Sequence, residues 1–249
     1  ICSILLLITA TTLQAMPPDS PNLRRSPRII GGHDAWRGAW PWMVSLNYTE
    51  NKQPFCGGSL IHSSWVLTSA NCIGDPQDLP LKATDIIVVV GLYQQSHLGD
   101  EGEQLAIKQI LQHPEWRNAA ADSWADIALL ELATPSKLPP IALVATDSPA
   151  TLPSKMATVL GWGKTSLAKD NNGSDILQQL EIPIVSNAVC QAAYATEPDP
   201  ILDTMVCAGL PQGGKDACTG DSGGLLVVLE NNEWKLFGIV SYGGKDGGP

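Results

Sequence analysis

An all-β, antiparallel fold is what this chain predicts for itself. Short β-prone runs at residues 42–46, 86–90, 158–160 and 225–229 are punctuated by breakers such as Pro41 and Asn47, Asp85 and Gly91, Gly161 and Gly224. No heptad, long amphipathic helix or internal repeat competes with that rhythm. The 249 residues supply enough surface for one large β domain or two smaller units sharing an interface, closed or sandwiched so that few strand edges stay bare.

Composition narrows the function. The net charge is -10 and charged residues make up 16% of the chain. A phosphate-binding face needs a basic excess, so nucleic acid is excluded as a partner. The one long apolar run, residues 4–10, is far shorter than the roughly 20 residues that span a bilayer. With Leu13-Gln14-Ala15 behind it as a cleavage site, the run reads as a partial secretory signal over residues 1–15. The chain opens on Ile1 without a methionine or basic residues, so the expectation is that the front of this signal is missing. Residues 16–28, MPPDSPNLRRSPR, are proline-rich and cationic with no apolar period, and read as an exposed linker open to proteolysis.

Six cysteines occur, and removal of Cys2 with the signal leaves Cys56, Cys72, Cys190, Cys207 and Cys218. In an oxidising compartment an odd number leaves one thiol without a partner. None lies in a CxxC pair or a Cys/His cluster, so neither a metal site nor a cofactor is expected. Two sequons, at Asn47 and Asn172, are candidates for glycosylation and fit secretion.

The densest chemistry lies in KDACTGDSGG, residues 215–224. Glycines around a serine let the backbone turn tightly and bring amide N–H groups beside the hydroxyl, as acyl transfer requires. Ser222 is therefore the candidate nucleophile. Its natural complement is a base, and the segment WVLTSANC has the form of a base-bearing strand end. Asn71 stands where the base is needed, and an amide has no basic lone pair at neutral pH.

Seven segments occur in order: RIIGG, CGGSLIHSSWVLTSANC, DIALL, GWG, LEIPIVSNAVC, MVCAG and CTGDSGG. In that combination the chain resembles the trypsin-like serine proteases of the chymotrypsin family, from residue 28 to residue 249. The resemblance implies two six-stranded antiparallel β-barrels, with the second truncated at its C-terminal end. It divides the chain into a signal (1–15), an activation peptide (16–28) and a protease domain (29–249).

By the same resemblance Ser222 is the nucleophile, Asp126 the carboxylate that orients the base, and Gly220 and Ser222 the oxyanion-hole donors. Asn71 occupies the base position. His62, His113, His33 and His97 fall elsewhere in the pattern, so none replaces it. Asp216 would lie at the base of the specificity pocket and select Arg or Lys by charge pairing, with Ser241, Tyr242 and Gly243 as walls. Tyr242 stands where tryptophan is more usual. Cleavage after Arg28 by a trypsin-like enzyme would free the Ile29 ammonium to pair with Asp221, a buried pair that switches the site on.

The resemblance also pairs Cys56 with Cys72 and Cys190 with Cys207, each loop of about 15 residues contributing roughly 3 kcal/mol in the chain-entropy account. It leaves Cys218 unpaired and the last strand and helix of the second barrel unbuilt. The expectation is a secreted zymogen whose protein substrates carry Arg or Lys and whose hydrolysis is nearly abolished by Asn71. The alternative is a non-catalytic homologue that binds basic peptide segments or a partner protein. One base separates Asn and His codons, so a variant with His at 71 would be the active endopeptidase.

Overall fold

The computed structural model describes residues 32–74, 79–116, 125–164, 173–195, 200–210 and 220–243. The signal and activation segments with Arg28 and Ile29, and also Asn172, Asp216 and Cys218, lie outside the described residues.

A two-residue strand β1 (His33–Asp34) precedes six strands that close a barrel. These are β2 (Met43–Tyr48), β3 (Pro54–His62), β4 (Trp65–Thr68), β5 (Ile86–Val90), β6 (Glu103–Gln112) and β7 (Ala128–Leu132), ordered β2-β3-β4-β7-β6-β5 around the barrel. The run expected at 86–90 is β5 residue for residue. Its β-branched Ile and Val fit a pleated surface, and both faces are covered. Val44, Leu46, Leu60, Val66, Val88, Val90 and Leu130 are fully buried inside this barrel.

The second unit contains β8 (Ala142–Leu143), β9 (Met156–Gly161), β10 (Gln178–Val185), helix α1 (Asn187–Ala193), β11 (Cys207–Ala208), β12 (Leu225–Glu230) and β13 (Glu233–Ile239). Its order is β1-β10-β9-β12-β13-β8, with β11 also against β10. Among the described residues this sheet does not close. β12 and β13 form a hairpin whose two turn residues, Asn231 and Asn232, have φ of 51° and 64°. Such a two-residue turn needs left-handed backbone, and asparagine tolerates it best after glycine. In α1, Ser186 caps the N-terminus by accepting from the Val189 N–H, and the helix buries Cys190.

Disulfides join Cys56 to Cys72 and Cys190 to Cys207, the pairing that the resemblance implied. Asn47 is completely buried in β2, and its Nδ2 donates to the Ser45 carbonyl at 3.2 Å and hydroxyl at 3.1 Å. A glycan on that nitrogen is incompatible with the folded strand.

The units meet over a shared core that includes Trp40, Met43, Val89, Leu92, Leu160, Leu225 and Val227. At one rim the junction is polar. Asp175 accepts from the Ser96 N–H at 2.7 Å, the Ser96 hydroxyl at 2.9 Å and the Gln94 amide at 2.9 Å, while Gln95 N–H donates to the Asp175 carbonyl at 2.8 Å.

Burial nudges the Asp175 carboxyl upward, but the bonds from Ser96 and Gln94 and the nearby His97 outweigh it and hold the pKa below the usual aspartate value. A depressed folded-state pKa stabilises the fold above the unfolded value, and that contribution is lost as pH falls through the lowered one. Asp175→Ala is therefore expected to destabilise by about 1 kcal/mol at neutral pH, the exposed setting keeping the effect small. The gap between the two chains should narrow below about pH 4. Urea unfolding at neutral and acid pH measures both, and a gap of constant size would mean that the carboxylate charge is not what holds this rim.

Candidate active site

Asp126 sits at the entrance to β7, after a residue held in an unusual conformation. Ala125 has φ of 58°, a left-handed value that costs a residue with a Cβ, and the Ile127 N–H closes a tight turn onto the Ala125 carbonyl at 2.7 Å. The turn places the carboxylate at the strand end, half-buried, where each oxygen needs a donor.

Three donors reach it. Asn71, in a single 3-10 turn (Ala70–Cys72), gives its backbone N–H to Asp126 Oδ1 at 2.7 Å and its Nδ2 to Oδ2 at 2.6 Å. The Ser241 hydroxyl, from the second unit, also donates to Oδ2. Asn71 Nδ2 lies 3.3 Å from the Ser241 carbonyl as well, so one amide group bridges both units. Residues 71, 126 and 241, which the sequence places far apart, thus meet at one point. The sequence suggested Ser241 only as a pocket wall; nothing local marks its hydroxyl as a partner of Asp126.

Ser222 lies on the neighbouring loop between Asp221 and β12. Its carbonyl accepts the Gly57 N–H at 2.8 Å, and Cys72 Sγ lies 3.5 Å from the same oxygen. The Cys56–Cys72 disulfide therefore packs the Asn71 turn against the serine loop. Ser222 is half-buried, and among the described residues its Oγ has no hydrogen-bond partner. The glycines around it are required by close approach. Gly223, at φ 75°, would place a Cβ 2.5 Å from the Gly57 carbonyl. Its N–H donates to the Val240 carbonyl at 2.7 Å, and the Gly224 N–H to the Asp221 carbonyl at 2.8 Å. Gly220 also has positive φ, 99°, as a sharp turn before Asp221 demands.

The Asp221 side chain is completely buried, with Oδ1 accepting the Gly163 N–H at 2.7 Å. Gly161 and Gly163 line its cradle: a Cβ on either would come within 2.8 Å or 2.5 Å of the Asp221 carboxyl carbon. GWG was recognised as a pattern, but its part in housing this carboxylate follows only from the packing. Two glycines flanking a Trp at alternate positions are the signal that was available.

Beyond the serine, Tyr242 is 44% exposed, with its hydroxyl 3.4 Å from Met205 Sδ and its ring edge-on to Tyr194 at 6.2 Å. With Ser241 and Gly243 it forms an open shelf beside the Asp126 cluster. Among the described residues no group of three or more acidic, His or Cys side chains is arranged to hold a metal ion.

A closed six-stranded antiparallel barrel, a second sheet that is antiparallel except where β8 pairs with β13, and a serine loop packed against an Asp-centred cluster define a protein of the chymotrypsin-like class. Residues 29–249 match the Trypsin family model, and the chain belongs to the trypsin-like serine proteases of the chymotrypsin family. It is 37% identical over 233 residues to human Mannan-binding lectin serine protease 1, covering 87% of this chain and 32% of that protein. Against bovine Coagulation factor XI the identity is 37% over 228 residues, covering 87% of this chain and 34% of that protein. The chain thus spans about a third of the length of these curated relatives.

Gly163→Ala should destabilise by roughly 1–3 kcal/mol, since overpacking forces backbone and carboxylate apart. Gly209→Ala, where an added Cβ meets nothing within 4 Å, is the control and should change little. Denaturant midpoints of the two variants decide it, and equal midpoints would show that the cradle tolerates a methyl group.

Proposed function

We propose that this chain is the protease unit of a secreted, trypsin-like zymogen whose peptide hydrolysis is disabled at Asn71. The observation that carries the reading is Asn71 bonded to the two Asp126 oxygens, by its backbone N–H to Oδ1 and its side-chain amide to Oδ2, at a position where the chemistry requires a base. For Ser222 Oγ to attack a peptide carbonyl, its proton must pass to an acceptor as the new C–O bond forms. Asn71 Nδ2 only donates. Asp126 accepts from Asn71 N, Asn71 Nδ2 and Ser241 Oγ, and among the described residues no hydrogen bond joins it to Ser222 Oγ.

The other parts of the machinery support descent from an active endopeptidase. In this proposal the N–H groups of Gly220 and Ser222 hold the oxyanion, and Asp216 selects Arg or Lys side chains. Cleavage after Arg28 by a trypsin-like protease frees the Ile29 ammonium to pair with Asp221, whose full burial suits a charge pair shielded from water. The signal-like residues 1–15, the two disulfides and the sequon at Asn172 agree with secretion.

The test compares the chain, cleaved after Arg28, with its Asn71→His variant on an Arg ester. The unaltered chain should retain at most the roughly 10³ to 10⁴ over water that binding and the oxyanion site supply. Asn71→His should raise turnover by about 10³-fold or more, because loss of the base costs on the order of 10⁶ in this type of site. Full activity with Asn71, or no gain with His, would sink the proposal.

A second reading is favoured by one observation: Asn71 satisfies Asp126 so well that the site stays ordered without its base. The chain would then act by capturing Arg- or Lys-bearing segments without cutting them. Calorimetry with an Arg-terminated peptide should show binding without product, abolished by Asp216→Asn. Binding that survives this substitution would place the recognition elsewhere.

A further inference from the structure

We infer that Gln112 is a positioning residue for the pair formed by residue 71 and Asp126, an inference that rests on the proposed role of that pair. Gln112 ends β6 and touches both sides of it. Its backbone pairs with Ala128, two residues beyond Asp126, and the adjoining His113 N–H donates to the Ile127 carbonyl at 3.0 Å. The end of β6 therefore holds the strand entrance that carries the acid.

The Gln112 side chain holds the other partner. Its Nε2 donates to the Ala70 carbonyl at 3.1 Å and to the Gly74 carbonyl at 2.8 Å. These carbonyls lie on either side of residue 71, and an amide nitrogen with two hydrogens can bind both at once. The Trp116 indole N–H adds a longer contact to the Gly74 carbonyl at 3.4 Å.

The segment is also held by the Cys56–Cys72 disulfide, by the Leu81 N–H to the Ile73 carbonyl at 2.8 Å and by Ser69 Oγ 3.0 Å from Cys72 Sγ, but none of these reaches β6. Ser69 makes no side-chain cap, and the internal bonds are Ile73 N–H to Ala70 O at 3.0 Å and Gly74 N–H to Ala70 O at 3.3 Å. The half-buried Gln112 side chain thus ties both ends of the residue 71 turn to β6, the strand that pairs with β7 next to Asp126. Packing alone would not require a donor at this position; two carbonyls converging on one nitrogen do. A base held by such a bond is sensitive to displacement, since a 1 Å error in a reacting geometry costs up to about 10²-fold.

The test uses the full chain, cleaved after Arg28, in the Asn71→His background. Gln112→Glu keeps the side chain's size and removes both donors; it should lower kcat on an Arg ester about tenfold with KM within about twofold. Gln112→Lys, which restores a donor, should recover most of that loss. Unchanged kcat in Gln112→Glu, or a loss that Gln112→Lys does not recover, overturns the inference. Gln112→Met, of similar length and without donors, serves in place of Gln112→Glu should the added charge prevent folding.

A second measurement needs no activity. In the chain with Asn71, hydrogen exchange of the Asn71 N–H, which donates to Asp126, should accelerate about tenfold in Gln112→Glu while β12 amides stay unchanged. If Asn71→His fails to hydrolyse the ester, the catalytic reading falls, and this exchange still decides the role of Gln112. Unchanged exchange at Asn71 overturns it.

Discussion

A carboxylate drawn half out of water at the junction of two β units has to be hydrogen-bonded, and the arrangement around Asp126 follows from that demand. An unsatisfied oxygen there would cost on the order of 1–3 kcal/mol, more for a charge. The structure meets it with the Asn71 amide groups from the first unit and the Ser241 hydroxyl from the second. The same bonds that satisfy the acid therefore also tie the units together beside the serine loop. Asparagine keeps the donor function of a base-bearing ring and lacks its basic nitrogen. Fold and chemistry place different requirements on position 71; the first is met here, and the proposed loss of hydrolysis rests on the second.

The serine loop obeys a second constraint, which is steric. Gly57, Gly163, Gly223 and Gly224 stand where backbone segments or the Asp221 carboxylate approach too closely for a side chain. Ser222 is held through its own carbonyl by the Gly57 N–H, so its hydroxyl rides on a backbone fixed from the first barrel. The Cys56–Cys72 disulfide lies against the same oxygen, linking the covalent frame of the first unit to the loop of the second. A site assembled from both units in this way is ordered only when they are docked, and the core of Trp40, Met43, Leu160 and Leu225 supplies that docking.

Much of this was legible in the sequence, in proportion to how local each signal is. β5 matched its expected run because consecutive Ile and Val carry their preference in their own side chains. The run at 158–160 proved to be the middle of a longer β9, exposed at Met156 and buried from Ala157 to Gly161, which pairs with β10 along its length. β1, β8 and β11 have two residues each and no period to read; they exist because a neighbouring strand offers hydrogen bonds. Asn47 shows the limit of a tripeptide signal, since Asn-Tyr-Thr suits a surface loop and here lies at the end of a strand whose asparagine is fully buried.

By itself the sequence determined the all-β class, the serine loop, the cysteine pairs by resemblance, and the missing basic nitrogen at position 71. These are properties of residue types and short spacings, and they survive without coordinates. Only the tertiary structure decided that Ser241 is a partner of Asp126, that Gly161 and Gly163 house Asp221, and that Gln112 braces the Asn71 turn. Each of these joins residues between 38 and 115 positions apart, as in the links from Gln112 to Gly74 and from Ser241 to Asp126. Hydrogen-bond reach is about 3 Å, and no local pattern of polarity or period records which distant groups the packing of two β units will bring within it.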